Sequence, residues 1–214
     1  MRWFAFPFTA IFLALFVVGC ADRILSKDVT FDDPGLQQCY EDALRGPSGK
    51  PYADEIQVLH CFEYGIVDLA GIEVLSGLKE LTLRGNVGIT NIEPVLSLRS
   101  LVWLDLPDCA LQPDSTAILS RLRTPVRLNV SGNNLGDISA YSQTTSLTAL
   151  IVDESNITNG VADLVTLTNA TALSFALNPR SPCSDLEILR MSMAESTIVL
   201  PIPAELEPGV DCAQ

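Results

Sequence analysis

Six times along the chain an apolar-x-apolar triplet recurs: Leu59-His60-Cys61, Leu81-Thr82-Leu83, Leu104-Asp105-Leu106, Leu128-Asn129-Val130, Leu150-Ile151-Val152 and Leu173-Ser174-Phe175. Their first residues are separated by 22, 23, 24, 22 and 23 positions. Three residues before each triplet stands Ile56, Leu78, Leu101, Pro125, Leu147 or Ala170. Three residues after it stands Tyr64, Asn86, Cys109, Asn133, Ser155 or Asn178. Within a triplet the apolar side chains alternate at period 2, so both face one side and the residue between them faces the other. That pattern predicts a short strand. So short a strand cannot bury its inner face alone, and a fixed period predicts that successive coils stack their strands into one parallel sheet.

The full motif, L-x-x-L-x-L-x-x-N/C, resembles the leucine-rich repeat. The resemblance covers about residues 31 to 214, is sharpest in the first coils, and loosens where Pro125 and Ala170 replace the first Leu and where Cys109 and Ser155 replace Asn. It implies a leucine-rich-repeat solenoid of the α/β class with about six coils and short parallel strands on the concave face. The Asn or Cys of each coil is expected to point inward, where Asn bonds turn backbone that is otherwise unpaired. Ile89, Ile92, Val95 and Leu96 close the convex side of the second coil. The stretches 71–78 and 89–94 look like the short-coil bacterial repeats, which favour 3₁₀ or irregular segments over long helices opposite the sheet.

An open solenoid exposes its core at both ends and needs caps. In front, Asp33-Pro34 reads as a helix start, Leu36, Cys39, Tyr40, Ala43 and Leu44 share a helical face, and Gly46-Pro47 ends it. Behind, Ser184 to Glu187 reads as a capping box opening a helix to about Ala194, with Leu186, Leu189 and Met193 facing the array. A β-prone run, Thr197 to Leu200, follows. The expected organisation is an export signal at 1–19, a tether at 20–30, a front cap at 31–55, repeats at 56–180 and a rear cap at 181–214. The family resemblance implies two cap disulfides, Cys39 with Cys61 and Cys183 with Cys212. Cys109, in an Asn position, is left as a buried and unreactive thiol.

The first twenty residues differ from the rest. Arg2 supplies a positive start, the run from Trp3 to Val18 is apolar apart from Pro7 and Thr9, and it is short for a membrane span. It ends in Val17-Val18-Gly19-Cys20, which resembles the lipobox of bacterial lipoproteins and implies cleavage before a lipidated Cys20. Ala21, not Asp, follows the cysteine, and the sorting rules of that family then favour the outer over the inner membrane. The resemblance thus implies a lipid-anchored protein of the bacterial envelope.

Composition narrows the function further. Hydrophobic residues make up 48%, which excludes a disordered chain, and the net charge of −13 argues against nucleic acid as a partner and favours a neutral or basic partner over an acidic one. A single histidine, His60, removes His-rich metal sites. No G-x-S-x-G, P-loop, dinucleotide fingerprint or EF-hand loop occurs, so neither catalysis nor a metal or cofactor is expected. What remains is the outward side of the strands. The residues before the central Leu run Val58, Glu80, Trp103, Arg127, Ala149, Ala172; those after it run His60, Thr82, Asp105, Asn129, Ile151, Ser174; and Phe62, Arg84, Pro107, Ser131, Asp153, Ala176 form a third row. Trp103, Asp105, Arg127, Arg84, Glu80 and Asn129 are the candidate partner-binding residues, because Trp and Arg dominate binding hot spots. The leading expectation is a membrane-anchored module that binds a protein or peptide on its concave face. A small-ligand or glycan site, needing clustered aromatics such as Trp103 and Phe62, and an enzyme relying on His60 are the alternatives.

Overall fold

The computed structural model describes residues 23–193 and the strand at 197–199. Seven strands form one parallel sheet in chain order: β1 (Val58–His60), β2 (Glu80–Thr82), β3 (Trp103–Asp105), β4 (Val126–Asn129), β5 (Leu147–Ile151), β6 (Ala172–Ser174) and β7 (Thr197–Val199). The central leucines stand in register: Leu59, Leu81, Leu104, Leu128, Leu150 and Leu173 pair across successive strands, each essentially inaccessible to solvent. Each crossover is one turn of the coil, so the protein is a leucine-rich-repeat solenoid whose core runs as a single column from Val29 to Met193.

A buried ladder closes each turn behind the strands. Asn86, Asn133 and Asn178 donate through Nδ2 to a carbonyl of the preceding coil, at Cys61, Leu106 and Val152 respectively, and to one of their own coil. Their Oδ1 atoms accept backbone amides of the preceding coil. Between them Cys109 and Ser155 keep the donor function: the thiol reaches the Leu83 carbonyl and the Ser hydroxyl that of Val130. Tyr64, at the first position of the series, departs from it, since it is half-buried and donates its hydroxyl to Asp42 at 3.0 Å.

The turn out of each strand demands a left-handed backbone, at Glu63, Gly85, Asp108, Gly132, Glu154 and Leu177. Side chains and glycines share this row for a steric reason. A Cβ on Gly132 would meet Asp108 Oδ1 at 2.1 Å, and one on Gly85 would meet Glu63 Cγ at 2.6 Å. The carboxylate residue of one coil thus lies over the glycine of the next.

Helix α1 (Pro34–Arg45) forms the front cap, with Pro34 at its first position and Asp33 accepting the Leu36 amide. Leu36, Cys39 and Tyr40 are buried against the first coil, and Cys39 is bonded to Cys61. In the rear cap, Leu186, Leu189 and Met193 face the array, and β7 adds the last strand.

Four local expectations are corrected. The capping box at Ser184 does not form, because Pro182 occupies the cap position of α3 (Cys183–Ser192). Ser184 lies inside the helix and bonds Asp185, while Glu187 turns to Arg190. In the fourth coil Val126, not Pro125, fills the first-Leu position: Val126 is buried, Pro125 is exposed, and Val126 pairs with Leu147. That leaves one residue fewer between buried positions, so the register shifts at Val126/Arg127 and Thr148 becomes the extra residue of the neighbouring strand. The third coil, preceding the widest spacing in the series, accommodates a true helix, α2 (Asp114–Leu119), where the other coils carry 3₁₀ turns. Lastly, residues 23–30, expected within the tether, are seated on the front cap. Leu25 bridges Tyr52, the Tyr40 hydroxyl donates to the Ser26 carbonyl, and Arg23 pairs with Asp54 and Glu55 while lying over the Tyr52 ring. The export signal, Cys20 and Cys212 lie outside the described residues.

Candidate functional site

Because each strand alternates, the outward rows of the sheet line the concave face in the order expected from the sequence. Val58, Glu80, Trp103, Arg127, Ala149 and Ala172 form one continuous register, and His60, Thr82, Asp105, Asn129, Ile151 and Ser174 form the next. Two of these outward positions are nonetheless buried, Thr82 at 8% exposure and Ala149 at 7%.

The six candidate residues separate into two groups. At the start of the strands Trp103 remains 38% exposed, with the Arg127 guanidinium 5.0 Å from its ring centre and Glu80 beside it in register. A cation over the negative face of an indole contributes about 0.5–1 kcal/mol at an exposed site and holds the ring in place. Further along, Asn129 Nδ2 donates to Asp105 Oδ1 at 2.7 Å while its own Oδ1 accepts from the Ser131 amide and hydroxyl. Burial pushes the Asp105 carboxyl above its ordinary range, against the pull of the Asn129 amide and the Arg84 and Arg127 charges. Arg84 belongs to this second group and pairs with Asp108 at 3.3 Å. The expected proximity of Arg84 to Trp103 is therefore not realised as a contact, since Arg84 is engaged at the opposite end of the strands.

Phe62 and Trp103 do not form an aromatic pocket. Phe62 is 52% exposed and lies against His60, with ring centres 5.7 Å apart, past the end of β1. Trp103 opens β3, two strands away, which puts the rings on the order of 15 Å apart by strand spacing and rise. A cavity of about 260 Å³ opens where the front cap meets β1, lined by Asp42, Ala43, Val58, His60 and Tyr64 among others. The sequence carries no signal for it, because its lining comes from α1, the 46–48 turn and the first coil, which no motif links. Its Asp42 is already held by Gln38, Tyr64 and Arg45, which keep the carboxyl below its ordinary range. Among the described residues no group of three His, Cys, Asp or Glu side chains is placed to hold a metal ion.

No family model matches the chain, and no curated protein matches it. Among solved structures the chain is similar to internalin C2 of Listeria monocytogenes, with 17% identity over 85% of this chain and 97% of that one and a TM-score of 0.39. It is also similar to an internalin (inlF) of the same organism, with 16% identity over 84% of this chain and 78% of that one and a TM-score of 0.32. The repeat assignment itself rests on the strand register and the buried ladder.

Proposed function

We propose that this protein is a lipid-anchored interaction module of the bacterial envelope that binds a protein or peptide on its concave face and carries no catalytic activity of its own. The observation that carries this reading is Trp103: a large aromatic left accessible on a rigid parallel sheet, held by the Arg127 guanidinium, in the middle of a continuous outward row. Such preorganised aromatic and arginine anchors concentrate binding energy in protein interfaces. The solenoid adds rigidity, since every coil is locked to its neighbours by ladder hydrogen bonds.

Lipid attachment at Cys20, preferentially in the outer membrane, belongs to the same proposal and is supported by the Val17-Val18-Gly19-Cys20 junction. Replacing Cys20→Ala should release the protein from the membrane fraction, and the mature parent should begin at a modified Cys20. A variant that stays membrane-bound, with an unmodified parent terminus, contradicts the anchor. For binding, a photo-reactive residue at position 105, beside Trp103 on the concave face, should cross-link a partner in native membranes, and one at Asp163, on the convex side, should not. Equal labelling from both positions contradicts a concave binding face.

A further inference from the structure

The protein carries 26 acidic against 13 basic residues, yet its cations are unevenly spent. Arg23, Lys27, Arg45, Arg84, Arg121 and Arg190 all make ion pairs. Lys79, Arg99, Arg123 and Arg127, like Lys50 on the front cap, make none among the described residues, and all are exposed. These four lie together. Arg99 and Arg123 each directly follow a buried leucine, Leu98 and Leu122, that closes the convex run of its coil, so they occupy equivalent places in adjacent coils. The Lys79 carbonyl accepts the amides of Val102 and Trp103, and the Val102 carbonyl accepts that of Arg127, which stitches the entries to β2, β3 and β4 into one rim. Neighbouring strands lie about 4.8 Å apart and the chain rises about 3.3 Å per residue, so the four positions span on the order of 15 Å, with the exposed Val102 and Trp103 among them.

The carboxylate content of this rim is as informative. The segments 75–80, 98–103 and 122–127, which lead into those strands, contain four cations and one acid, Glu80, while the two acids of the first-coil equivalent, Asp54 and Glu55, are both paired with Arg23. The corresponding segments of the next two coils, 144–149 and 167–172, contain no charge at all. They contribute Ala149 and Ala172 to the outward row beyond Arg127, a floor without projecting side chains. A positive rim around an exposed tryptophan, continuing into a smooth floor, in a chain of net charge −13, is a local inversion of the overall field.

We infer that the strand-entry rim formed by Lys79, Arg99, Arg123 and Arg127 around Trp103 binds an extended acidic peptide segment of the partner, with carboxylates on the rim and an apolar residue packed on Trp103 and Val102. This inference rests on the concave-face reading and gives the partner its chemistry. It reverses the expectation from net charge, because an unpaired cation cluster acts within a Debye length of about 8 Å at physiological salt, where distant carboxylates are screened. A concave row favours a peptide over a lipid surface, because a strand-like chain can lie in the trough of a curved sheet and a flat bilayer meets only its edges.

Trp103 is the only tryptophan after Trp3, so in the chain beginning at Cys20 its fluorescence reports this site alone. The mature protein in non-ionic detergent should be titrated with a labelled twelve-residue peptide repeating Glu-Glu-Leu, with its Gln-Gln-Leu counterpart, and separately with phosphatidylglycerol vesicles. The acidic peptide should bind, change Trp103 emission and weaken with salt. Binding should fall by about tenfold or more for the glutamine peptide and for the Arg99→Glu, Arg123→Glu double variant. Circular dichroism of that variant checks that it remains folded, and Arg99→Gln with Arg123→Gln serves if it does not. Equal binding of the glutamine peptide, no binding of either peptide, or an emission change with vesicles alone overturns the inference. If cross-linking beside Trp103 still captures a partner while the acidic peptide fails, the concave-face reading stands and only the acidic chemistry falls.

Discussion

Asn133 Oδ1 accepts the backbone amide of Cys109 from the preceding coil at 3.1 Å. The same oxygen accepts Leu111 N at 2.9 Å, and Nδ2 donates to the Leu106 and Val130 carbonyls. One buried carboxamide therefore satisfies backbone groups of two coils. Each group left without a partner costs about 1–3 kcal/mol, and Asn133→Ala removes the partner of several at once. The expected loss is about 3–5 kcal/mol, read as a shift in the urea midpoint with an unchanged slope. A loss below about 1 kcal/mol would mean that water enters and replaces the amide.

Cys109 occupies the same ladder position one coil earlier, and burial pushes its thiol up to about 11. The unfolded thiol ionises near 9.0, so between those two values the unfolded state has lost a proton that the native state keeps. Stability contributed by the neutral thiol is complete below pH 9 and declines as the pH rises toward 11. Cys109→Ser, which keeps a donor for the Leu83 carbonyl, should flatten that alkaline decline in a series of melts. In the native protein the thiol should resist iodoacetamide at pH 8 and react on unfolding. Rapid native labelling contradicts this placement.

Asp33 joins the front cap to the first coil. It caps α1 through the Leu36 amide at 2.8 Å, and its other oxygen accepts Val67 N and Asp68 N at 2.8 and 3.0 Å. Burial works to raise this carboxyl, but these three amides and that of Gly35 together outweigh it and hold the group below its ordinary value. A depressed carboxyl gives stability that is present above the unfolded value of 3.8 and is lost as the pH falls through the lowered one. Asp33→Ala should cost about 2–3 kcal/mol and open the front cap first, visible as faster hydrogen exchange in residues 34–69 than in the later coils. Asp33→Asn should remove the part of the acid dependence that Asp33 contributes, leaving that of other lowered carboxyls such as Asp42.

The repeat was legible because each constraint recurs: a leucine that faces the core in one coil faces it in all, and the strand register follows from period alone. The disulfide between Cys39 and Cys61, which the family resemblance implied, is present, and Cys109 is buried and free. The misread details are those that do not recur. Whether Pro125 or Val126 enters the core depends on packing against Leu147, and whether Ser184 or Pro182 caps α3 depends on which residue the preceding coil leaves at the helix entrance. The candidate site was legible to the same degree. Rows of outward residues follow from alternation, but the division of the six candidates into a Trp103–Arg127 pair and an Asp105–Asn129–Ser131 chain depends on side-chain geometry that no period encodes. No period marks the cation rim, because Arg99 and Arg123 lie outside the repeat motif.

Trp103 and Leu104 are adjacent on β3 and face opposite ways, which makes them a test of the whole assignment. Leu104 is fully buried, so Leu104→Ala should cost about 2–5 kcal/mol through lost transfer energy and a residual cavity, while binding per folded molecule is kept. Trp103 is outward and 38% exposed, and its contact with Arg127 is a surface one. Trp103→Ala should therefore shift stability by less than about 1 kcal/mol yet weaken partner affinity by about 2 kcal/mol or more, as truncation of a hot-spot anchor does. Both variants should be measured for melting temperature and affinity in parallel. If Trp103→Ala unfolds the protein and Leu104→Ala abolishes binding without touching stability, the faces are reversed. If neither changes affinity, the partner engages another surface of the solenoid.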